Sequence, residues 1–335
     1  MEDRFRKAWL RLNSDSLPCS VVVAVSGGLD SMVCLYLLDR LRREMPFSLT
    51  VAHVNHHLRP DSDADQAHVQ EAARRRKLPF RVRSLDTPPK PGDSPEASFR
   101  DLRYTALESI RREVGADCIV TAHHGNDQVE TVLFRLQSGT GTQGLTGIPE
   151  RREKVIRPLL SFSRRELELY ARDHGVSYRE DSTNRDVAIP RNFLRHRVVA
   201  PWEAEVRNLA EQINRSVRSV RDMESSLKYL IEQYLLPSVG KKLGAHWVFN
   251  GQLFDMLSED LKIRTLQILD SPGKPWRRKD WNNLRQTLAS QKTGLLHPLP
   301  GGSYLLRNRS QWILRVKPLP EPLEIPVFPG ERVEL

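Results

Sequence analysis

The N-terminal part of the chain alternates between short apolar runs and longer segments whose apolar positions recur three or four residues apart. A run such as VVVAV (21–25) is typical of a buried strand, and the longer segments have the period of amphipathic helices. Strands are predicted at 21–25, 47–58, 79–85, 116–123 and 155–160, and helices at 31–43, 63–78, 96–115 and 126–139. Strands that alternate with helices pair in parallel through right-handed crossovers, so this part is predicted to be an α/β domain.

The pattern changes near Pro201. From 203 to 236, apolar residues recur at steps of three and four, which predicts one long connecting helix. A helix at 277–290 and a hairpin at 302–316 are predicted beyond it, and the Pro-rich end has the composition of a linker or of the opening of a further module. We therefore predict domains at 1–201 and 241–318, a connecting helix at 202–240 and a Pro-rich tail at 319–335.

Composition narrows the class of protein. The chain has 335 residues, with 52 Lys and Arg against 42 Asp and Glu, and this net charge of +10 favours a polyanionic partner such as nucleic acid. Mean hydropathy is −0.50, and no apolar run approaches the roughly 20 residues of a membrane span. The charged N-terminus lacks the apolar core of a signal peptide, so we expect a cytoplasmic protein without a membrane partner.

Cysteines and histidines do not predict a metal centre. Cys19, Cys34 and Cys118 form no CxxC pair, so we expect thiols packed inside the fold. The histidines of 52–57 and 121–124 match no compact zinc signature, and we expect nucleotide contacts and packing instead.

The segment SGGLDS (26–31) joins the first strand to the first helix. Two glycines let the backbone approach a ligand closely, and the N–H groups at the helix start form an anion site. The carboxylate of Asp30 would repel a triphosphate unless a divalent cation lies between them, and Mg²⁺ prefers one or two carboxylates together with phosphate oxygens. The segment therefore predicts an ATP site with Asp30 on Mg²⁺. The alternative is a tight turn in which Asp30 is a helix N-terminal acid. The predicted ATP-binding residues are Ser26, Gly27, Gly28, Leu29, Asp30 and Ser31, with His53 beside the adenine.

This segment resembles the signature of the N-type ATP pyrophosphatases, or PP-loop enzymes. Further stretches are similar to the tRNA(Ile)-lysidine synthetase family, namely 52–70, 96–104, 121–148 and 156–201. The similarity is dense from about residue 18 to residue 201 and fainter beyond. It implies a Rossmann-like (adenine nucleotide alpha hydrolase-like) parallel sheet with helices on both faces, forming the catalytic domain. A long linker helix and a small α+β domain that contacts tRNA would follow.

The stretch HHGNDQVET carries two acids three residues apart, Asp127 and Glu130, on one face of a predicted helix. The helix follows a strand, so its N-terminus lies at the sheet edge where α/β folds bind ligands. We predict that these acids hold metal or the lysine ammonium, the alternative being a solvated acidic face. Asn126 stands where the family usually has Asp, so any role that needs charge is placed on Asp127.

Several arginines are predicted to contact phosphate, lysine or tRNA. Arg100 and Arg103 lie three apart on one predicted helix, and arginine suits phosphate recognition and charge stabilisation. The family has an arginine at the position of Arg100, which would steady developing charge. Contacts to lysine or tRNA are predicted for Asp127, Glu130, Arg103, Arg191, Asn192 and Arg195, near the acids of REDSTN (179–184). The alternative for the 190–201 stretch is a surface of paired charges. Trp276 and Trp281 would either stack on bases or fill a small core.

The resemblance implies the following reaction. ATP adenylates the C2 oxygen of the wobble cytidine in the CAU anticodon of tRNA(Ile), and pyrophosphate leaves. The side-chain amine of free L-lysine then attacks C2 and AMP departs, so the enzyme is a carbon–nitrogen ligase that uses ATP and Mg²⁺ and forms a homodimer. Two alternatives stay open from the residues. One is a PP-loop enzyme that thiolates a tRNA base, and the other is a basic RNA-binding module without catalysis.

Overall fold

A computed structural model describes residues 1–57, 61–85, 95–179, 189–270, 276, 278–290 and 292–315. The chain divides into two compact units, Met1–Arg221 and Asp222–Leu335. The division falls inside the long helix that the sequence predicts near this position. The predicted loop at 86–95, most of REDSTN and the Pro-rich tail lie outside the described residues, apart from Pro95 and Arg179.

The first unit is built on a six-stranded sheet with the order β3-β2-β1-β4-β6-β5. Its strands are parallel except β5, which runs antiparallel to β6. Val22 in the central strand lies opposite Thr50 on one side and Ile119 on the other. The strands are β1 (Ser20–Ala24), β2 (Ser48–Asn55), β3 (Phe80–Ser84), β4 (Cys118–Val120), β5 (Arg151–Arg152) and β6 (Val155–Ile156).

Both faces of this sheet are covered by helices. In β1, Val21 and Val23 pack into one core, and Val22 and Ala24 pack into a second core on the opposite face. This follows from the alternation of side chains along a strand, and it explains why the run is apolar throughout rather than at every second residue. The prediction of a parallel sheet with helices on both faces is confirmed.

The helices begin and end close to the predicted positions in most of this unit. Gly115, at the predicted end of the third crossover helix, has a φ of +64°, which glycine adopts without strain. Among the described residues, no helix combines the length and apolarity that a bilayer crossing requires. The helices are α1 (Glu2–Leu12), α2 (Leu29–Leu41), α3 (Ser62–Arg75), α4 (Pro95–Glu113), α5 (Gly125–Gln137), α6 (Thr142–Leu145), α7 (Arg164–Asp173), α8 (Pro190–Phe193), α9 (Ala200–Glu205) and α10 (Leu209–Leu230). A π-helical turn, Leu194–Val199, joins α8 to α9.

Two predicted elements are wrong in extent. The strand predicted at 155–160 ends at Ile156, and Pro158–Ser161 forms a 3-10 turn because Pro158 cannot donate to a ladder. The helix predicted at 203–236 is interrupted, since Val206 is extended and Asn208 has a φ of +60°. Apolar periodicity continues through this break, so the sequence pattern alone does not reveal it.

The second unit contains a five-stranded antiparallel sheet with the order β7-β8-β11-β10-β9, so the prediction of a small α+β region is confirmed. The predicted hairpin is also confirmed, with Leu305 opposite Leu314. Trp276 packs against the core, and its Nε1 donates to Asp270 (3.1 Å), as the small-core alternative for this residue requires. The elements are α11 (Leu236–Val239), β7 (Gly240–Leu243), β8 (His246–Asn250), α12 (Gly251–Asp255), α13 (Glu259–Leu269), α14 (Arg278–Ala289), β9 (Leu296–Pro298), β10 (Tyr304–Arg307) and β11 (Gln311–Arg315).

Candidate active site

The candidate site lies where the central strands β1 and β4 end side by side. The segment 26–31, here called the glycine loop, leaves β1 and enters α2, and residues 121–124 lead from β4 into α5. Open parallel sheets bind ligands at the carboxyl ends of their strands. The fold therefore brings the two stretches with the most distinctive chemistry to one edge.

The glycine loop is closed by the hydroxyl of Ser31. Its Oγ accepts from the N–H of Ser26 (3.1 Å) and of Gly27 (3.2 Å), and donates to the carbonyl of Gly28 (3.0 Å). Gly27 has a φ of +99°, a conformation that side chains with a Cβ rarely adopt. Ser31 and Gly27 therefore shape the loop, and the N-terminus of α2 faces out of it.

Gly28 has a different reason to be glycine. Its backbone is extended, and an added Cβ would make only ordinary contacts, at 3.8 Å to Ser26 Oγ and 3.9 Å to the Arg179 carbonyl. It occupies the N-cap of α2, where no side chain caps the helix. Helix N-termini left in this state attract anions through their N–H groups and dipole. A missing side chain at Gly28 thus leaves room for a phosphate group to approach.

Two carboxylates lie close to one buried histidine, His124. Nε2 of His124 lies 3.6 Å from Oδ2 of Asp30 and 3.7 Å from Oδ2 of Asp127. Nδ1 of His124 accepts from the N–H of Asn126 (3.2 Å), so a neutral His124 carries its proton on Nε2, toward the carboxylates. The Asp127 carboxylate also accepts from the backbone N–H of His124 (2.9 Å), which holds it at the start of α5.

Charge is concentrated at this point. Burial opposes protonation of His124, but Asp127 and Asp30 outweigh burial and raise the pKa of His124. Burial also opposes ionisation of Asp127, but His124, His123 and Arg191 outweigh it and hold the pKa of Asp127 well below its ordinary value. Burial lowers the pKa of His123 to about 3. The site therefore presents an ionised Asp127 beside a neutral His123 at neutral pH.

The donor set fits a hard cation that is bound with phosphate. Oδ1 of Asp30 is buried and has no hydrogen-bond partner, although buried carboxylate oxygens normally have one. Within the described ranges, no group of three or more His, Cys, Asp or Glu is arranged to hold a metal by itself. Mg²⁺ takes one or two carboxylates and completes its shell with water and phosphate oxygens. Asp30 and Asp127 match that requirement, and a zinc site would need more protein ligands.

Glu130 lies one turn after Asp127 and is almost fully buried, at 1% exposure. Its Oε1 accepts from Arg195 Nε (2.6 Å), and its Oε2 accepts from Arg195 Nη2 (3.1 Å) and Arg191 Nε (3.1 Å). The same two arginines lie 3.6 and 3.7 Å from Oδ1 of Asp127. Burial disfavours the charge of Arg195, but Glu130 outweighs burial and raises the pKa of Arg195. We call Asp127, Glu130, Arg191 and Arg195 the four-charge network.

Other predicted residues take different positions. His53 is 4% exposed, and its Nδ1 donates to the carbonyl of Val25 (2.8 Å), directly before the glycine loop. Burial lowers the pKa of His53. Asn192, which follows Arg191 in the chain, is buried. Arg100 is exposed with its guanidinium 5.4 Å from the centre of the Tyr104 ring, and Arg103 is half-buried.

Sequence reasoning missed two connections. Arg179 donates its N–H to the carbonyl of Gly27 (3.0 Å) and its Nε to Asp65 (2.6 Å), so the start of REDSTN lies against the glycine loop. Asn126 donates Nδ2 to Glu203 (2.7 Å) and accepts from the N–H of Arg164 (2.9 Å). An aspartate at 126 would place a second carboxylate against Glu203, which is a physical reason for asparagine here. These partners are distant in sequence, so the sequence pattern does not reveal the contacts. The one indication in the sequence was the asparagine at 126, where the family usually has aspartate.

Comparisons with known proteins agree with this geometry. Residues 1–201 match the family model described as a PP-loop domain. The chain is 42% identical over 182 residues to the tRNA(Ile)-lysidine synthase of Thermotoga maritima, an alignment covering 53% of this chain and 44% of that relative. It is 40% identical over 236 residues to the tRNA(Ile)-lysidine synthase of Thermus thermophilus, covering 70% of this chain and 45% of that relative. The chain thus spans less than half the length of these two relatives.

A solved structure shares the fold. The U34-tRNA thiolase NcsA from Methanococcus maripaludis, determined with its [4Fe-4S] cluster, superposes with a TM-score of 0.56 at 18% sequence identity. The superposition covers 66% of this chain and 77% of the thiolase. At this identity the likeness concerns the arrangement of strands and helices.

Proposed function

The chain belongs to the PP-loop domain family, and from this premise we propose that it is a tRNA(Ile)-lysidine synthetase. Its substrates are ATP, free L-lysine and the tRNA(Ile) that carries a CAU anticodon. ATP adenylates the C2 oxygen of the wobble cytidine and releases pyrophosphate. The side-chain amine of lysine then displaces AMP from C2, so that a carbon–nitrogen bond forms and a carbon–oxygen bond breaks. The names of relatives that are 40% and 42% identical support this choice of substrates.

One observation carries the chemistry. The carboxylates of Asp30, in the glycine loop, and of Asp127 lie 3.6 and 3.7 Å from His124. The helix that follows the loop has no side-chain cap. In the proposal, Ser26, Gly27, Gly28, Leu29 and Ser31 seat the departing pyrophosphate. Asp30 and Asp127 would hold Mg²⁺, which when bound neutralises phosphate charge. His53 supports the end of β1 and so the loop, which accounts for its burial.

The remaining residues divide between charge stabilisation and positioning. Arg100 is exposed, without a carboxylate partner among the described residues, and in the proposal it steadies negative charge that develops during transfer. Glu130 has both oxygens occupied by arginines, so we assign it to holding Arg191 and Arg195 rather than to binding metal or lysine directly. Asp127, which keeps an oxygen near His124, then orients the lysine ammonium or the cation.

The proposal extends to partners beyond the site. The net charge of +10 suits binding of tRNA, and the C-terminal unit would contribute contacts outside the anticodon. A homodimer and a cytoplasmic location belong to the same proposal, by analogy with the family.

The test uses the full chain with ATP, Mg²⁺, radiolabelled lysine and a tRNA(Ile) transcript with a CAU anticodon. Label is expected in the RNA only when ATP is present, and not in a transcript whose wobble cytidine is replaced by uridine. Asp30→Asn is expected to lower the rate about a hundredfold or more. Asp15→Asn makes the same chemical change at an exposed position before β1 and should leave the rate unchanged. Absence of label, with ATP binding intact, would refute the proposal.

Thiolation of a tRNA base is the second candidate. It is disfavoured by the environment of the thiols, because burial raises the pKa of Cys34 and raises that of Cys118 to about 12. Cys19 is exposed, so the expectation that the thiols are packed inside the fold is wrong for this residue. Thiolates, not thiols, are the nucleophiles and metal ligands. A variant with serine at all three positions should keep lysine incorporation if it folds, and sulfur transfer by the wild-type chain would favour this candidate instead.

A binding module without catalysis is the third candidate. It predicts that the wild-type chain releases no pyrophosphate from ATP in the presence of lysine and tRNA. Detection of pyrophosphate that depends on both would exclude it.

A further inference from the structure

Four arginines lie near the candidate site, on two helices and on the segment that follows β6. Arg100 and Arg103 lie on α4, Arg135 lies on the last turn of α5, and Arg157 directly follows β6. Tyr104 lies among them, with the Arg100 guanidinium 5.4 Å from its ring centre and Nη2 of Arg157 donating to its hydroxyl (3.2 Å). We call Arg100, Arg103, Arg135 and Arg157 the arginine cluster.

Among the described residues, the cluster has no acidic side chain at ion-pair distance. Within the described part of the chain, none of its four members forms an ion pair with Asp or Glu, although most other arginines here do so. Arg157 is 3% exposed and donates only to neutral oxygens, the Pro149 carbonyl (2.8 Å) and the Tyr104 hydroxyl. Its Nε is buried without any hydrogen-bond partner. Arg135 likewise donates to the carbonyls of Gly144 (2.7 Å) and Gly147 (3.1 Å).

Burial without neutralisation is unfavourable for these side chains. Burial lowers the pKa of Arg103 and of Arg135, and the charge of Arg100 lowers both further. Burial opposes ionisation of the Tyr104 phenol, but Arg157, Arg100 and Arg103 outweigh it and lower the pKa of Tyr104. Tyr104 and Asp127 raise the pKa of Arg103 but do not outweigh burial, so the cluster keeps positive charge that is only partly compensated. Buried charges are normally paired, so the lack of a carboxylate at ion-pair distance among the described residues points to a bound anion.

We propose that the arginine cluster binds a phosphodiester group of the substrate RNA next to the nucleotide that reacts. Arginine forks match phosphate oxygens in pairs, and several of them close together suit an anion with several acceptors. The cluster adjoins the catalytic edge, because the charges of Arg100, Arg103 and Arg157 all act on His123, the neighbour of His124. A nucleotide whose base reaches Asp30 and Asp127 carries phosphodiester groups on both sides of its ribose.

The proposed ATP site and the arginine cluster are built from different elements. The loop and the uncapped start of α2 lie after β1, whereas the cluster belongs to α4, α5 and the segment after β6. This inference deepens the proposed function, on which the identity of the RNA rests, but the anion site itself is independent of lysine transfer. The rival source of the same chemistry is a phosphate of the nucleotide, and the experiment distinguishes the two.

The experiment measures the affinity of the Arg103→Gln variant for tRNA by fluorescence anisotropy between about 50 and 200 mM salt. Over this range the affinity depends strongly on the number of phosphate contacts. Arg103 has no hydrogen bond or ion pair among the described residues, so the change should leave the fold intact. We expect the dissociation constant to rise about threefold to tenfold at the lower salt. The slope of log affinity against log salt should fall by about 0.7, the value for one phosphate contact on a single strand. ATP affinity should change less than twofold.

The matched control is Arg112→Gln, which removes the same charge from the exposed end of the same helix. Its salt slope should equal that of the wild-type chain. If Arg103→Gln does not fold, as judged by circular dichroism, Arg103→Met keeps the aliphatic stem and serves the same test. The inference is overturned if the Arg103 variant matches the control, or if it loses ATP affinity instead of tRNA affinity.

The outcome is separable from that of the proposed function. Lysine incorporation by the wild-type chain, with no effect of Arg103→Gln on the salt slope, would remove the anion site alone. An Arg103-dependent slope in a chain that incorporates no lysine would retain the site and remove the proposed reaction.

Discussion

The glycine loop and the four-charge network lie at one edge of the sheet but are built in different ways. The loop is held by hydrogen bonds from Ser31 to residues three to five positions before it. The network joins Glu130 to arginines 61 and 65 positions away, and both Glu130 oxygens are occupied. The loop is therefore a local structure that leaves the start of α2 without a side-chain cap and open to a ligand, whereas the network is a tertiary structure in which acids and arginines neutralise each other.

The largest effect is expected from breaking the network. Glu130→Gln removes one buried charge and leaves Arg191 and Arg195 without their main partner. Removing one partner of a buried ion pair costs about 3 to 5 kcal/mol, and we expect a loss near the lower value because Asp127 remains 3.6 and 3.7 Å from these arginines. Urea unfolding would measure it. Glu108→Gln is the control, since Glu108 pairs with the partly exposed Arg111 and the exposed Arg112 and should lose less than about 1 kcal/mol. Equal losses in the two variants would show that the network is not a special feature of the site.

The loop offers a contrast within two neighbouring residues. Gly27→Ala forces a side chain into a φ of +99° and should cost about 1 to 3 kcal/mol, measured by thermal or urea unfolding. Gly28→Ala has an allowed backbone and open space, so its free energy of unfolding should change by less than about 0.5 kcal/mol. Its ATP affinity should nevertheless fall, because the new Cβ occupies the approach to the helix N-terminus. Unchanged ATP affinity in Gly28→Ala would contradict the placement of phosphate there.

The hydrogen bond from Asn126 to Glu203 is a second contact between residues distant in sequence, and we expect it to stabilise the start of α5. Asn126→Asp removes the donor that Glu203 accepts (2.7 Å) and places two carboxylates together. We expect a loss of about 1 to 3 kcal/mol in the free energy of unfolding. Combining it with Glu203→Gln should recover much of that loss, since the amide can donate to the new carboxylate. A double variant no better than Asn126→Asp would show that the pair is not coupled.

The smallest effect concerns pH. The folded chain keeps His123 neutral down to a pKa of about 3, from an ordinary value of 6.5, so the unfolded chain binds more protons between these values. The free energy of unfolding therefore decreases as the pH falls below about 6.5, because the unfolded chain takes up a proton at this residue and the folded chain does not. Between pH 7 and pH 6 the wild-type chain should lose about 0.7 kcal/mol more than His123→Gln. Identical pH dependence of unfolding in both chains would mean that folding does not lower the pKa of His123.

Local patterns predicted much of the fold and part of the site. The run 21–25, the SGGLDS turn and the helix after it correspond to β1, the glycine loop and α2. The capping box SRRE (163–166), a pattern readable in the sequence, has both reciprocal bonds in the structure. These features depend on residues within a few positions of each other, so the sequence carries their physical cause. The break at 206–208 has no such signal, because the apolar period runs through it.

Pairing of charges could not be predicted in the same way. From the sequence, Arg100 was predicted to steady developing charge, and Arg103, Arg191 and Arg195 were predicted to contact lysine or tRNA. Tertiary structure divides them, since Arg191 and Arg195 meet buried carboxylates and the other two meet none among the described residues. Side chains of one type thus acquire opposite roles through the partners that folding places beside them.

By itself, the sequence determined the parallel α/β order, the glycine loop after β1 and the acid at its helix start, because each is encoded over a few consecutive residues. Only the tertiary structure decided that His124 would join Asp30 to Asp127, that Glu130 would be neutralised, and that four arginines would lie together with no ion-paired acid among the described residues. The physical reason is that electrostatic pairing depends on distance in space and on burial, and neither is a property of positions along a chain.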